Sequence, residues 1–213
     1  MKGRFSFFRI FTKCFVFSAI VSFSVYGLCI QYANKVQAHI AENIVRLHVL
    51  SNSDTYEDQR LKYKVRDAVV AYLSEKFSGT ENIEQTKSII QSELDNIKAI
   101  ARIKIISEGY DYAVDASVGE FSFPTKRYEN VKFPAGRYEA LRIVIGEGDG
   151  QNWWCVLYPS LCINASGLRM SQEELEKLRA ALTQEELSIV LSEESEESLP
   201  KLKFRIVELF SKK

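Results

Sequence analysis

The sequence predicts an α+β fold: a small mixed or antiparallel sheet with two amphipathic helices packed on it. An N-terminal signal or anchor helix precedes this fold, and an acidic helical extension follows it. Three observations support the prediction. Apolar residues alternate with polar ones in short segments between residues 44 and 158, apolar residues recur at helical spacing between 57 and 109, and residues 14–30 carry no charge. The predicted parts are a signal peptide or membrane anchor at 1–38, an α+β domain at 39–165 and a charged extension with short helices at 166–213.

The N-terminal segment has the order of an export signal. Its basic residues are Lys2, Arg4, Arg9, Lys13 and Lys35, and it contains no acid. The run 14–30, CFVFSAIVSFSVYGLCI, is apolar apart from three serines and a glycine. Each Leu, Ile, Phe or Val favours insertion by roughly 0.3–0.6 kcal/mol at mid-bilayer. Small residues at Val36-Gln37-Ala38 permit cleavage after Ala38, but the run is also long enough to remain as an anchor. We expect export, with both forms open.

The first half of the domain reads as strand, helix, helix. Residues 44–50 alternate as a strand, and 51–55 form a turn. Thr55 and Asp58 have the spacing of a capping box, which predicts a helix over 57–77. A second helix, with Ile83, Ile97 and Ala101 on its apolar face, should end near Gly109 as the C′ residue.

The second half of the domain reads as strands. Residues 111–119, 137–145 and 153–158 each show strand character, and 126–135 reads as a loop or a broken edge strand because of its charges and Pro134. Glycines at 146, 148 and 150 allow the chain to reverse. We therefore expect 137–145 and 153–158 to pair as an antiparallel hairpin. The sequence does not indicate where the first strand joins the sheet.

The C-terminal extension is acidic. Residues 171–198 contain nine glutamates against two basic residues. Ser171 and Glu174 have the spacing of a capping box before a short helix, 193–197 should be a solvated linker, and 201–210 has one apolar side.

Composition and spacing argue against most ligand classes. From residue 39 onward 23 basic residues face 28 acidic ones, a net charge of −5, so we expect no nucleic acid partner. The glycine-rich GEGDG loop leads into a strand instead of a helix, which excludes a phosphate loop, and it lacks the spaced carboxylates of a calcium loop. No His or Cys pair has convincing ligand spacing, so we expect no metal, cofactor or small-molecule substrate.

The sequence contains one candidate pair of a thiol nucleophile and a histidine base. Cys155 with His48, oriented by Asp54 or Asp58, has the residue types of a thiol hydrolase but no local sequence signature. We therefore expect no enzyme. Outside the cytoplasm Cys155 and Cys162 can instead form a disulfide, while two buried free thiols are the alternative.

The candidate partner contacts are polar or aromatic residues near the strand ends. Polar residues where a strand passes into a helix often form recognition surfaces, although capping and turn chemistry is the simpler explanation. Trp153 and Trp154 should point to opposite sheet faces, which leaves one of them available as an anchor for a partner. The candidates are Arg46, His48, Asn52, Asp54, Asp58, Gln59, Arg66, Asn152, Trp153 and Trp154.

Two long motifs resemble a known family. RLHVLSNSDTYEDQRLKYKVRD at 46–67 and FPAGRYEALRIVIGEGDGQNWWCVLYPSLC at 133–162 are similar to stage II sporulation protein R of endospore-forming bacteria. The resemblance covers residues 44–162. Ser160 stands where the family's closing motif has a second proline, and Tyr158 where phenylalanine is usual. The acidic extension resembles no family.

The resemblance implies a signal and not a catalyst. Proteins of this family are made in the forespore and exported into the space between the two sporulation membranes. There they trigger a membrane-embedded aspartic protease, which matures the precursor of the mother-cell sigma factor sigma-E. We therefore expect a secreted or tethered signalling protein; the alternative is an extracytoplasmic hydrolase or a cell-wall-binding module that uses Trp153 or Trp154 with Tyr158.

Overall fold

The computed structural model describes residues 2–80, 82–128, 131–159 and 172–191, with side chains from residue 11 onward. The helices are α1 Lys2–Glu42, α2 Tyr56–Lys76, α3 Ile83–Ser92, α4 Leu94–Ser107, α5 Gln172–Ala181 and α6 Gln184–Val190. The strands are β1 Val45–Leu50, β2 Val114–Phe123, β3 Lys126–Tyr128, β4 Val131–Phe133, β5 Gly136–Ile145 and β6 Asn152–Tyr158. This arrangement confirms the predicted α+β class with an N-terminal apolar helix.

A mixed four-stranded sheet forms the centre of the fold. Its order is β2-β5-β1-β6, and β1 is parallel to β5 but antiparallel to β6. β2 is antiparallel to β5. The stretch predicted as a loop or broken edge strand forms a separate β3–β4 ribbon, and β2 begins three residues later than expected and continues to Phe123.

The predicted hairpin between β5 and β6 is wrong, because β1 lies between these two strands. All six residues of β1 are buried, because the strand has a neighbour on each edge and a core packed on each face. The loop that connects β5 to β6 crosses the end of β1 instead of turning back directly. There the backbone N–H of Gly150 donates to the carbonyl of Ser51 at 3.1 Å, and that of Asp149 donates to Asn52 at 3.3 Å.

Helices α2, α3 and α4 cover one face of the sheet. Their apolar sides share a core with β1, β2, β5 and β6 that includes Leu61, Ile97, Leu47 and Ile143. The predicted second helix is divided into α3 and α4 at Glu93, whose carboxylate accepts hydrogen bonds from Tyr72 and Lys76 of α2. These bonds hold the break against α2.

The predicted helix ends are confirmed for α2 and α4. The Thr55 side chain accepts from the backbone N–H of Asp58 at 3.3 Å and so caps α2. The second bond of the predicted capping box does not form, because the Thr55 N–H donates to Ser53 Oγ at 3.2 Å. At the end of α4, Gly109 has φ +86° and its N–H donates to the carbonyl of Ile106 at 2.9 Å. The N–H of Tyr110 bonds the carbonyl of Ile105, which completes a Schellman motif.

A second core lies on part of the opposite sheet face. It is built by the end of α1, the β3–β4 ribbon, α5 and α6, and it includes Ile40, Phe133, Ala140, Leu178 and Val190. The described part of the predicted extension therefore packs on the sheet. Its capping box joins Thr183 to Glu186; the predicted one at Ser171, the linker at 193–197 and the segment 201–210 lie outside the described residues.

Helix α1 changes character along its length. The part over Phe11–Glu42 is long and apolar enough to cross a membrane, and its apolar side chains are exposed, as at Phe23 with 79% of its surface accessible. The last turn instead joins the fold. Ile40 is fully buried, and the ring Nδ1 of His39 lies 2.8 Å from the Glu186 carboxylate of α6. The helix continues through Ala38 without a break.

Candidate partner-binding surface

Four of the predicted polar residues lie just after β1 and form a closed network with Lys62, which the sequence did not single out. We call this network the polar clamp: Asn52, Asp54, Asp58, Gln59 and Lys62. The Asp58 carboxylate accepts from Asn52 Nδ2 at 2.9 Å and from Ser53 Oγ at 2.6 Å. Burial raises the pKa of Asp58, but the hydrogen bonds that its carboxylate accepts outweigh burial and the pKa is lowered. Asp58 is therefore an ionised group inside the turn.

The rest of the polar clamp joins the turn after β1 to the loop that precedes β6. Gln59 Nε2 donates to Ser51 Oγ at 2.6 Å and to the Ser53 carbonyl at 2.9 Å. Lys62 Nζ donates to Gln59 Oε1 at 2.5 Å and to the Gln151 carbonyl at 2.8 Å, and burial lowers the pKa of Lys62.

Two more bonds complete the attachment of this loop. The backbone N–H of Gln151 donates to Asp54 Oδ1 at 2.6 Å, and that of Glu147 donates to Asn52 Oδ1 at 3.1 Å. The clamp thus fixes two loops, and contact of its members with a partner stays a prediction.

Arg66 lies beside the tryptophan on the helix-covered face. Its guanidinium carbon is 4.4 Å from the Trp153 ring centroid and 5.1 Å from that of Tyr63, and it also pairs with Asp67. Trp153 packs against the first core and Trp154 against the second, which confirms that the two tryptophans face opposite sides of the sheet.

On the second face of the sheet, which is the face opposite α2, α3 and α4, one row of side chains crosses the sheet from edge to edge. The strand register aligns Ser117, Arg142, His48 and Trp154 on β2, β5, β1 and β6, and we call these four residues the cross-sheet row. The second core covers the neighbouring part of this face, near Ala140. Ser117, Arg142 and Trp154 are half-buried, so this part of the sheet faces solvent.

His48 is stacked in the middle of the row. Its ring lies 3.9 Å from that of Trp154 with an interplanar angle of 16°. Only 7% of His48 is exposed, and neither ring nitrogen has a hydrogen-bond partner among the described residues. Burial lowers the pKa of His48 to about 4; Arg142 acts in the same direction, and Asn152, which lies near the ring without reaching hydrogen-bond geometry, opposes it. His48 is therefore neutral at pH 7.

Arg142 was not among the predicted candidates. Its guanidinium carbon lies 5.4 Å from the Phe121 ring centroid, and its buried Nε has no hydrogen-bond partner in the described part of the chain. The sequence signal for this residue is a charge within the otherwise apolar segment LRIVI of β5. Phe121 was likewise missed as a surface residue, because β2 extends beyond the predicted strand.

Arg46 lies inside the second core. Its guanidinium carbon is 4.3 Å from the Phe123 centroid and 5.0 Å from that of Tyr138, and Nη2 donates to the Tyr128 hydroxyl at 2.9 Å. Arg46 has no exposed surface. Its contact with a partner stays a prediction that this burial does not favour.

The structure does not assemble the thiol–histidine pair. Cys155 belongs to the first core, whereas His48 lies on the second face, so the two side chains point away from each other across the sheet. Cys155 is also disulfide-bonded. Cys162 lies outside the described residues, so its pairing with Cys155 stays a prediction. Asp54 and Asp58 are engaged in the polar clamp. Within 11–191, excluding the gaps given above, no cluster of three or more His, Cys, Asp or Glu could hold a metal ion.

Comparison with known proteins places this chain in a family. The family model described as Stage II sporulation protein R matches residues 41–167, which include all six strands, the polar clamp and the cross-sheet row. Stage II sporulation protein R of Bacillus subtilis (strain 168) is 44% identical over 123 residues, which are 58% of this chain and 55% of that protein. The aligned chain thus spans about half the length of that relative. No solved structure matches the chain. The chain belongs to the stage II sporulation protein R family, and this membership supports a role in sporulation.

Proposed function

We propose that this protein is an exported signal between the two compartments of a sporulating cell. It leaves the forespore, enters the intermembrane space and activates a membrane-embedded aspartic protease, so that the precursor of sigma-E is processed in the mother cell. The observation that carries this proposal is the family match over residues 41–167. The N-terminal helix, which is long and apolar enough to cross a membrane, supports export or tethering.

The arrangement of the reactive residues supports binding in preference to catalysis. A thiol nucleophile needs a free sulfur and a base within hydrogen-bond reach. Cys155 meets neither requirement, because its sulfur is in a disulfide and His48 lies on the other face of the sheet. The second sheet face instead presents a half-exposed aromatic and cationic surface, which suits recognition of a protein.

The cell-wall-binding alternative receives less support. That function needs aromatic rings along one groove, but Trp153 and Trp154 lie on opposite faces of the sheet. Tyr158 is buried in the first core. Neither tryptophan therefore shares an open groove with Tyr158 in the described structure.

Reconstitution tests the proposal directly. The full chain is co-expressed, in cells that export it, with the candidate protease and the sigma-factor precursor, and processing of the precursor is followed by immunoblot. We expect processing only when all three proteins are present. Purified full chain mixed with precursor alone should leave the precursor intact. A folded, exported chain that triggers no processing would contradict the proposal, and cleavage by the chain alone would favour the hydrolase.

A further inference from the structure

Arg142 forms no ion pair with any described carboxylate, although its charge is one of the weaker causes that lower the pKa of nearby Asp115, after Lys98. Four other arginines each pair with a carboxylate: Arg66, Arg102, Arg137 and Arg179. Asp115, on the same face of the neighbouring strand, forms an ion pair with Lys98 at 2.9 Å. Arg142 contacts the Phe121 ring but makes no ion pair with any described residue, and its buried Nε donates to none of them.

This environment prepares Arg142 to bind a carboxylate. A half-buried guanidinium has lost part of its hydration, so an unused donor costs free energy until an acceptor arrives. The planar group matches the two oxygens of a carboxylate, and the Phe121 ring restricts its orientation before binding. His48 next to it is neutral at pH 7 and does not compete as a cation.

We propose that Arg142 binds an acidic side chain of the receptor protein, while the exposed part of Trp154 packs beside that contact. This inference rests on the proposed function and names the chemistry of the receptor surface. The surface favours a protein over an anionic membrane, because lipid recognition usually relies on a cluster of several Lys or Arg residues. The cross-sheet row has a single cation, and the chain from residue 39 onward carries a net charge of −5.

Charge reversal with a matched control tests the proposal. Arg142→Glu is compared with Arg137→Glu, which makes the same change on the same strand at a side chain that is 69% exposed. Full-length chains are titrated onto membranes with and without the candidate protease, and binding and precursor processing are measured separately. We expect Arg142→Glu to raise the concentration for half-maximal binding at least about tenfold, with Arg142→Lys intermediate. Arg137→Glu should stay within about twofold.

A second measurement identifies the receptor acid. Each acidic residue in the extracytoplasmic segments of the protease is changed to arginine, and one of these changes should restore binding of the Arg142→Glu chain. Near-ultraviolet circular dichroism of each full-length variant checks that the fold is intact.

Each outcome bears on a different claim. Equal binding by the native, Arg142→Glu and Arg137→Glu chains would overturn the carboxylate contact. If Arg142→Glu weakened binding to protein-free phosphatidylglycerol vesicles as much as binding to protease-containing membranes, the carboxylate contact would also be overturned, in favour of a lipid phosphate. Binding through Arg142 without any processing would contradict only the proposed function. A folded native chain that does not bind protease-containing membranes would contradict both.

Discussion

At the residue scale, His48 shows that burial can shift the pKa of a side chain that has no hydrogen-bond partner among the described residues. The ring is almost fully buried and stacks on Trp154, and burial lowers its pKa to about 4. The unfolded chain, with an ordinary histidine pKa near 6.5, therefore takes up a proton first as the pH falls. The contribution of neutral His48 to the free energy of unfolding is fully present above pH 6.5 and is lost progressively as the pH falls toward 4.

The first prediction is that His48 makes the protein less stable in mild acid. The full pKa shift corresponds to about 3 kcal/mol, and because the interval from pH 7 to pH 4.5 ends above the folded-state pKa we expect about 2 kcal/mol. Urea unfolding of the full chain in detergent, at pH 7 and pH 4.5, measures the loss. A His48→Gln chain should lose about 2 kcal/mol less over the same interval. Identical losses in the two chains would contradict the role of His48.

The second prediction concerns the polar clamp. Asp58→Ala removes a carboxylate that accepts from Asn52 and Ser53, and it leaves those donors without their acceptor. Hydrogen bonds to charged groups contribute about 1.5–3 kcal/mol, so we expect the free energy of unfolding to fall by about 2–3 kcal/mol. The control is Asp67→Ala on the same helix, whose side chain is 55% exposed and should change stability by less than about 0.5 kcal/mol. Similar effects in urea unfolding would argue against the clamp.

At the element scale, the loop at 146–151 requires glycine for two reasons. Gly146 and Gly148 have φ of +58° and +71°, which side chains rarely adopt. Gly150 is needed for close approach, because a Cβ atom there would lie 2.2 Å from the Ser53 carbonyl oxygen and 2.3 Å from Ser51 Oγ. The loop can therefore cross the end of β1 only with glycine at this position.

The third prediction is that Gly150→Ala loosens this crossing. The added methyl group meets backbone, which cannot rotate away, so we expect a loss of about 1–3 kcal/mol in the free energy of unfolding. Gly119→Ala in β2 is the matched control, because its new Cβ would have only ordinary contacts at 3.7 Å with Phe121. Hydrogen exchange of the Asp149 and Gly150 amides should also rise only in Gly150→Ala. Unchanged protection of these amides would show that the loop tolerates a side chain.

At the scale of the whole molecule, α1 connects an apolar segment to the core. Its exposed apolar part is suited to a membrane, while Ile40 and Ile44 are buried in the second core. Cleavage after Ala38 would leave both isoleucines in the folded product. Retention would keep Gln37 against Gly136, where an added Cβ would meet the Gln37 side chain.

The fourth prediction is that the apolar run is required for export. Ile20→Lys with Phe23→Lys places two charges in the run, at a cost of about 5–7 kcal/mol near the bilayer centre. We expect this chain to become inaccessible to protease added outside the cell. The control, Gln31→Lys with Asn34→Lys, adds the same charge beyond residue 30 and should remain accessible. Equal accessibility of both chains would contradict the export function of this segment.

Most of the helices and strands, the apolar N-terminal segment and the caps at Thr55 and Gly109 follow from the sequence alone, because periodicity, charge and capping are local properties. The position of β1 between β5 and β6 is visible only in the folded chain, because strand order depends on which long-range pairing buries the most apolar surface. The same cause explains the cross-sheet row: Arg142, His48 and Trp154 are far apart in sequence and become neighbours only through the strand register.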